Sequence, residues 1–370
     1  MYRFGFVMEQ TLGHVTHTQN LMRWAAEAQD IEPTWLPVKP DGNDRWERFP
    51  VVKGNWSLKA SLRAKDAMNA AFARQLPDAL FLHTQTVSLY SAPYLRRVPS
   101  IISLDATPIN YDTVGEAYGH TAGSGWLEKR KFAWYCSLFR EATALVTWCQ
   151  WAKDSLVNDY GIDAQKVTVI PPGVDMANWG FGKEKVEKPI ETNRPVRLLF
   201  VGGDFERKGG KYLIEAFKKH LHHSCTLDIA TRDAVAEEEA KGVEGIRVHR
   251  GLTANSEPLK ALYANADIFV FPTLADCLPI AVMEGMAAGL PVVATDVGGL
   301  SEEVVPGVSG LVVPPKSSEG IVEAVCALVH DPEQRHRMAR SGRELAETRF
   351  NAQTNYNAVF DLMRGLAKKA

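Results

Sequence analysis

The sequence predicts an α/β protein with two parallel sheets, each covered by helices on both faces. Two series of short, apolar, β-rich runs alternate with helical patterns, which is typical of doubly wound parallel sheets. A polar stretch with several glycines and prolines separates the two series. At 370 residues the chain is long enough for two domains of ordinary size. We therefore expect one doubly wound domain in each half of the chain.

Six strands are predicted in each series. In the first series the apolar runs lie at 3–8, 34–38, 79–83, 100–104, 144–148 and 167–170. In the second series they lie at 196–201, 226–230, 246–249, 268–271, 292–294 and 310–313. We expect the first domain over 1–176 and the second over 195–350, with 177–194 as the linker between them.

The composition is that of a globular protein and excludes several classes of function. A formal net charge of −2 argues against general nucleic-acid binding through a basic surface. The five cysteines lie far apart without a C-x-x-C pair, which fits free thiols better than a disulfide framework or a zinc site. The first apolar run lacks the features of an export signal, and no run of about 18 apolar residues could span a bilayer. We expect a cytoplasmic protein, with attachment to the inner membrane surface left open.

The segment 269–299 carries the clearest functional pattern. It reads as strand, polar loop, helix, turn and second strand, with Asp276 in the loop and Glu284 inside the helix. Pro279 suits the start of that helix, and the free N–H groups of a first helical turn bind anions. Parallel strands also direct the loops at their carboxyl ends toward a ligand crevice. A phosphate-sized site flanked by two carboxylates suits a sugar nucleotide, which is anionic in the middle and rich in hydroxyls at both ends.

A second pattern follows the first strand of the second series. There the chain reads Gly202-Gly203, then Asp204 to Gly210 with Arg207 and Lys208. Glycines allow close approach of a ligand, and fixed cations stabilise the charge that builds on a departing phosphate. The alternative is a solvated basic turn. No Walker A or D-x-D motif is present. A D-x-D motif would hold a metal ion on a diphosphate, so cationic side chains would take the place of that metal ion here.

In the first half, Gly13 and His14 follow the opening strand. This glycine loop is not a dinucleotide fingerprint, which disfavours nicotinamide binding. His14 is a candidate ligand contact or a helix cap. Asp105 follows the strand at 100–104 and could bind sugar hydroxyls, orient an acceptor or cap a turn.

These motifs, together with IPPGVD at 170–175, resemble in their order the retaining family 4 glycosyltransferases. The resemblance implies the GT-B fold, in which two Rossmann-like domains face a central cleft. The chain departs from the family at three positions. The family's acidic motif, which corresponds to Asp276 and Glu284 here, usually begins with Glu, so Asp276 is the first departure. Gly203 stands where many members have an Arg, and Asp105 stands near the point where many have a His.

The resemblance also assigns roles to residues. The expected catalytic residues are Arg207, Lys208, Asp276 and Asp105. The expected donor-binding residues are Gly13, His14, Gly203, Pro279, Ile280 and Glu284. Among these, Glu284 would accept hydrogen bonds from ribose hydroxyls, and Asp276 from hydroxyls of the transferred sugar. The amphipathic stretch 351–370 would pack back onto the first domain; the alternative is that it ends on the second.

The implied reaction is transfer of a sugar from a nucleoside diphosphate, UDP- or GDP-linked, with retention of configuration and without a metal ion or other cofactor. The acceptor would be a glycan, a lipid-linked sugar or a small molecule, in a setting such as polysaccharide biosynthesis. Two alternatives stay open. One is a sugar-nucleotide epimerase on the same fold, and the other is a non-catalytic nucleotide-sugar-binding or scaffold protein.

Two segments combine basic and apolar residues. The segment 53–74 could lie on an anionic membrane or be an ordinary surface helix that packs its apolar side inward. In 126–140 the aromatic residues are expected to belong to core packing.

Overall fold

The computed structural model describes residues 1–11, 13–42, 44–115, 125–189 and 191–368. These residues form two compact units. The first contains the described residues of 1–112, 125–172 and 353–368. The second contains those of 113–115 and 173–352. The domain limits 1–176 and 195–350 stay predictions.

The first unit contains a six-stranded parallel sheet. Its strands are β1 (Tyr2–Glu9), β2 (Ile31–Val38), β3 (Ala79–His83), β4 (Ser100–Leu104), β5 (Ala144–Thr147) and β6 (Val167–Val169). They are arranged in the order β2-β1-β3-β4-β5-β6. All six predicted strands are confirmed, with ends that differ by at most three residues. The order reverses at β1, so the loops after β1 and β3 lie at a topological switch point.

Helices cover this sheet. They are α1 (His14–Glu27), α2 (Pro50–Lys53), α3 (Trp56–Ala71), α4 (Gln85–Ser88), α5 (Ala92–Leu95), α6 (Pro108–Val114), α7 (Trp126–Glu141) and α8 (Gln150–Asn158). Short 3-10 turns occur at Arg45–Arg48 and Ala164–Lys166. The core lies between helices and sheet, where Val7, Leu80, Leu82, Met68 and Phe139 have no exposed surface.

The aromatic residues of α7 do not all belong to the core. Tyr135 and Phe139 are buried, as expected, but Trp126, Phe132 and Trp134 are exposed. The expectation of core packing was therefore wrong for these three. Only the second half of the helix contributes to the core, since its buried positions begin at Tyr135.

The second unit contains another six-stranded parallel sheet. Its strands are β7 (Val196–Val201), β8 (Cys225–Ala230), β9 (Ile246–His249), β10 (Ile268–Phe271), β11 (Val292–Thr295) and β12 (Gly310–Val313). They are arranged in the order β12-β11-β10-β7-β8-β9. This is the order of a dinucleotide-binding sheet, and its switch point lies between β7 and β10. All six predicted strands are again confirmed.

The helices of this unit are α9 (Gly180–Glu187), α10 (Gly210–Ala216), α11 (Val235–Ala240), α12 (Glu257–Asn265), α13 (Ile280–Ala287), α14 (Leu300–Glu303), α15 (Ser318–His330) and α16 (Pro332–Thr348). A 3-10 turn at Met176–Trp179 precedes α9, and a π turn at Phe217–Leu221 follows α10. The predicted linker 177–194 thus holds a helix, and its described residues belong to the second unit. Side-chain caps fix the starts of the last two helices: Ser317 accepts from Gly320 N (2.9 Å) and Asp331 from Gln334 N (2.8 Å).

The closing helix α17 (Ala352–Ala367) lies in the first unit from Gln353 onward. Its apolar face is buried as the spacing of Tyr356, Val359, Phe360 and Met363 predicts. The ring of Phe360 contacts that of Phe6 edge-on, at 6.3 Å between centroids. On the polar side, Arg364 binds Asp30 through two hydrogen bonds of 2.7 and 2.8 Å. In the described part of the chain, no helix is long and apolar enough to cross a membrane.

Candidate functional site

The switch point of the second sheet brings two loops together. β7 and β10 are parallel neighbours, so the loops that leave their carboxyl ends start side by side. The first loop contains Gly203, Arg207 and Lys208, and the second contains Asp276. A hydrogen bond from Leu274 N to the carbonyl of Arg207 (2.8 Å) joins the two loops directly.

Lys208 and Asp276 form an ion pair. The ammonium of Lys208 donates to Oδ2 of Asp276, which also accepts from the hydroxyl of Thr273 at 3.3 Å. The Lys208 ammonium lies 5.0 Å from the centre of the Phe271 ring. Burial lowers the pKa of Lys208, and the neighbouring carboxylate of Asp276 opposes that shift. The sequence analysis predicted both residues, and the structure brings them into contact.

Arg207 is held on several sides. Its Nε donates to Asp204 at 2.9 Å, and a terminal nitrogen donates to the carbonyl of Ala275 at 2.7 Å. The same nitrogen lies 3.9 Å from Asp276. The guanidinium therefore links the two loops, and its charge is already balanced inside the protein.

Two glycines let these loops pack closely. Gly209 has φ +74°, and a Cβ there would lie 1.9 Å from the carbonyl oxygen of Pro272. Gly298 has φ +58°, and a Cβ there would lie 2.0 Å from the carbonyl oxygen of Asp276. Any other residue would meet both backbone strain and a main-chain clash at these positions.

Gly203 lies beside a second arginine. Arg232, just after β8, donates from Nε to the carbonyl of Gly203 at 3.3 Å. A Cβ on Gly203 would lie 3.1 Å from that nitrogen. The backbone at Gly203 is thus next to an arginine from the loop that follows the neighbouring strand.

Glu284 lies inside α13, whose first residue is Ile280 and whose N-cap is Pro279. Its carboxyl group is buried and accepts a hydrogen bond of 3.0 Å from the hydroxyl of Tyr263. Burial raises the pKa of Glu284 to about 7, although the Tyr263 hydrogen bond acts in the opposite direction. The group can therefore accept hydrogen bonds in either protonation state near neutral pH.

Glu303, at the end of α14, is a second buried acid near this site. It has no exposed surface, and neither carboxyl oxygen has a hydrogen-bond partner of normal geometry among the described residues. Burial, and then the charge of Asp276, raise its pKa well above the usual range.

The first unit has a separate polar cluster at its own switch point. His14, at the start of α1, lies 3.0 Å from His83 between Nδ1 and Nε2. Its other ring nitrogen lies 4.0 Å from Asp105, which follows β4. The ring of His83 stacks on that of Trp148, at 5.3 Å between centroids. Gly13 is the residue before α1 and makes no side-chain cap.

Two further contacts organise this cluster. Glu9, the last residue of β1, accepts hydrogen bonds from Thr84 and from the indole N–H of Trp56 (2.8 Å). His17 lies 3.1 Å from the hydroxyl of Tyr356, which joins α1 to the closing helix. Burial, and then the nearby His14, lower the pKa of His17 to about 3.

Sequence reasoning missed several of these residues. They are Glu9, His83, Arg232, Tyr263, Thr273 and Glu303. The position of His83 at the last residue of a predicted strand is a signal that could have indicated a site residue, because β3 ends at the same sheet edge as β1. Among the described residues, no group of three or more His, Cys, Asp and Glu is arranged to hold a metal ion.

Two family models match successive parts of the chain. The model described as Glycosyltransferase Family 4 matches residues 12–178, and the model described as Glycosyl transferases group 1 matches residues 182–345. Together they account for most of the sequence, and each matches one of its two halves.

Curated relatives agree with these matches. The chain is 28% identical over 325 residues to glycogen synthase of Mycobacterium tuberculosis, covering 85% of this chain and 74% of the relative. It is 27% identical over 364 residues to alpha-maltose-1-phosphate synthase of Mycolicibacterium smegmatis, covering 92% of each.

Solved structures show the same fold. Sucrose-phosphate synthase from Thermosynechococcus elongatus superposes with a TM-score of 0.79 at 16% identity, over the full length of both chains. A glycosyltransferase from Rickettsia africae superposes with a TM-score of 0.73 at 17% identity, over 100% of this chain and 99% of the other. The protein is therefore a member of the family 4, or group 1, glycosyltransferases and has the GT-B fold.

Proposed function

We propose that the protein transfers a hexose-type sugar from a nucleoside diphosphate to a glycan, lipid-linked or small-molecule acceptor. The transfer retains the configuration at the anomeric carbon and needs no metal ion. The observation that carries this proposal is the Lys208–Asp276 pair at the switch point of the second sheet. It sets a cation and a carboxylate side by side where ligands of such sheets bind.

Lys208 is proposed to bind the diphosphate and to stabilise the charge that develops on it as the glycosidic bond breaks. Asp276 then accepts hydrogen bonds from hydroxyls of the transferred sugar. In the free protein the two groups satisfy each other, so donor binding has to replace their ion pair. Arg207 contributes mainly by holding both loops, since two of its side-chain donors are engaged by Asp204 and Ala275.

The N-terminus of α13 is proposed to receive a phosphate group through the N–H groups of its first turn, beginning at Ile280. Glu284 is proposed to bind ribose hydroxyls. Tyr263 would keep the carboxyl group of Glu284 oriented while the ribose binds to its other lone pairs. UDP- and GDP-linked sugars are the proposed donors.

The acceptor is proposed to bind on the first unit, near His14 and Asp105. The two side chains lie 4.0 Å apart, and both are buried. Asp105 cannot donate a hydrogen bond unless it is protonated, so the donor of this pair is His14. Gly13 would allow a ligand to approach the backbone next to that histidine.

Thermal unfolding against a panel of nucleoside diphosphates and their sugars, with and without EDTA, tests the proposal. A ligand at about 100 times its dissociation constant stabilises the fold by roughly 2.7 kcal/mol, which is a readable shift. A selective shift that survives EDTA is expected. If no compound shifts the melting temperature of a well-folded sample, the proposed donor is wrong. If the product has the inverted anomeric configuration, the proposed retention is wrong.

Membrane binding through 53–74 is a separate proposal. The ion pairs and packing of this segment argue against it. The cations Lys59 and Arg63 pair with Glu47, and Arg63 also pairs with Asp44. Ala60, Ala64 and Met68 of α3 are buried, and Leu58 and Leu62 are half-buried, which favours the alternative of an ordinary surface helix. Flotation with vesicles of anionic phospholipid tests the point, and binding that Lys53→Gln and Lys65→Gln reduce would support membrane contact.

A further inference from the structure

The two cations predicted for the donor site are both neutralised inside the protein. Arg207 is bound to Asp204, and Lys208 is bound to Asp276. A nucleoside diphosphate brings negative charge that a site without a metal ion has to balance with side chains. The site therefore needs a positive charge that is not already paired.

Arg232 provides such a charge at the same edge of the sheet. It follows β8, which pairs with β7 up to Val201 and Ala230. Its side chain is exposed, and in the part of the chain that the structure describes no acid lies within ion-pair distance of its guanidinium. The Nε hydrogen bond to Gly203 leaves the four terminal N–H groups for a ligand.

Gly203 makes room for this arginine. A Cβ at this position would lie 3.1 Å from Nε and 3.5 Å from Cζ of Arg232. A larger residue at 203 would therefore push the guanidinium away from the loop that carries Lys208. Gly202, the preceding residue, is similarly close to Lys208, because a Cβ at Gly202 would lie 3.0 Å from Cγ of the lysine. The two glycines thus let Arg232 and Lys208 lie close to the same short stretch of backbone.

We propose that Arg232 is a diphosphate-binding residue of the donor site and that its guanidinium acts together with Lys208. The planar fork of an arginine matches a pair of phosphate oxygens and gives charge-assisted hydrogen bonds. This inference rests on the donor site proposed above. It adds a residue from the loop after β8 to a site otherwise built from the loops after β7 and β10.

Calorimetric binding of a ligand series to Arg232→Gln tests the inference. The series is uridine, UMP and UDP, or the guanosine or adenosine equivalents if the thermal panel selects another base. Loss of a charge-assisted contact should weaken diphosphate binding about ten- to a hundred-fold, while nucleoside binding stays unchanged. Arg232→Lys should recover part of the loss, because it restores the charge without the fork.

Arg247→Gln is the matched control. Arg247 is an exposed arginine of the neighbouring strand β9 that pairs with Asp228, so its replacement removes the same charge away from the loops. Its diphosphate affinity should equal that of the wild type. An unchanged affinity in Arg232→Gln, or an equal loss for nucleoside and diphosphate, would overturn the inference. A wild-type protein that binds no nucleotide would instead overturn the proposed function.

Discussion

Lys208 and Asp276, 68 residues apart in the sequence, form an ion pair between the loops that follow β7 and β10. Their side chains are 14% and 12% exposed. Breaking such a pair from one side is costly, because the remaining charge stays desolvated and loses its partner. The pair therefore couples the stability of the second unit to the residues proposed to bind the donor.

Replacing one partner should destabilise the protein by more than the net free energy that the ion pair contributes to stability. Lys208→Met or Asp276→Asn alone should lower the free energy of unfolding by roughly 3 kcal/mol. The double variant should lose less than the sum of the two losses, because neither charge is then left unpaired. Urea unfolding of the four proteins gives the coupling energy, and strictly additive losses would show that the pair does not form in solution.

Lys208→Met should also lower turnover. With a verified donor and acceptor, we expect kcat to fall roughly a hundred-fold or more, the size of the loss when one donor to a developing charge is removed. Lys211→Met, an exposed lysine at the start of α10, is the control and should keep its activity. Unchanged turnover in the folded Lys208 variant would exclude the residue from the chemical step.

Glu284→Gln should make the protein more stable above pH 7. The folded pKa of about 7 exceeds the ordinary value of 4.5, so the folded state keeps the proton after the unfolded state has lost it. The free energy of unfolding therefore falls as the pH rises from 4.5 to 7, by about 3 kcal/mol in all. Glutamine keeps the hydrogen bond from Tyr263 and cannot ionise. Melting curves at pH 5 and pH 8 should show a gain only at pH 8, and an equal effect at both values would contradict the assignment.

His17 should make the first unit sensitive to acid. Its folded pKa of about 3 lies below the ordinary 6.5, so the unfolded state binds a proton that the folded state excludes. Stability is then lost as the pH falls from 6.5 toward 3, by up to about 1.4 kcal/mol per pH unit. In His17→Gln the loss with falling pH should be shallower by that amount. Parallel curves for the two proteins would mean that His17 stays exposed to protons when folded.

The closing helix should depend on its apolar face rather than on its ion pair. Phe360 has no exposed surface, so Phe360→Ala should cost roughly 3–5 kcal/mol. Arg364→Gln should cost less than about 1 kcal/mol, because its partner Asp30 is 48% exposed and water screens the pair. Differential scanning calorimetry of both variants measures the two losses of stability. A larger loss for Arg364→Gln than for Phe360→Ala would contradict the prediction.

The strands were predictable from the sequence because buried parallel strands are short, nearly continuous apolar runs. The strand at 268–271 shows this, since its four residues have no exposed surface and its observed ends agree with the predicted ones. Helix α7 shows the limit of the same reasoning. Its aromatic residues suggested a core helix, but nothing in its sequence indicates that only its second half contributes to the core.

Residues of the candidate site could be proposed from the sequence where they are close in the chain, and not where only the fold brings them together. Asp276 and Glu284 belong to one motif, so one pattern located both. Arg232 and Gly203 meet because β8 pairs with β7, and Tyr263 reaches Glu284 from α12. Such contacts depend on strand order and helix packing, which a pattern of apolar and polar residues does not encode.

The position of β7 between β8 and β10 also affects how the protein folds. The elements β8, β9 and α12 lie between β7 and β10 in the sequence, so the pairing of these two strands closes a loop of more than sixty residues. Long loops close slowly because their entropy is lost before the contact is gained. We therefore expect the ion pair of Lys208 and Asp276, which needs this pairing, to form after the rate-limiting step of folding. A nucleotide that binds there would prolong the lifetime of the folded state and leave the rate of its formation unchanged.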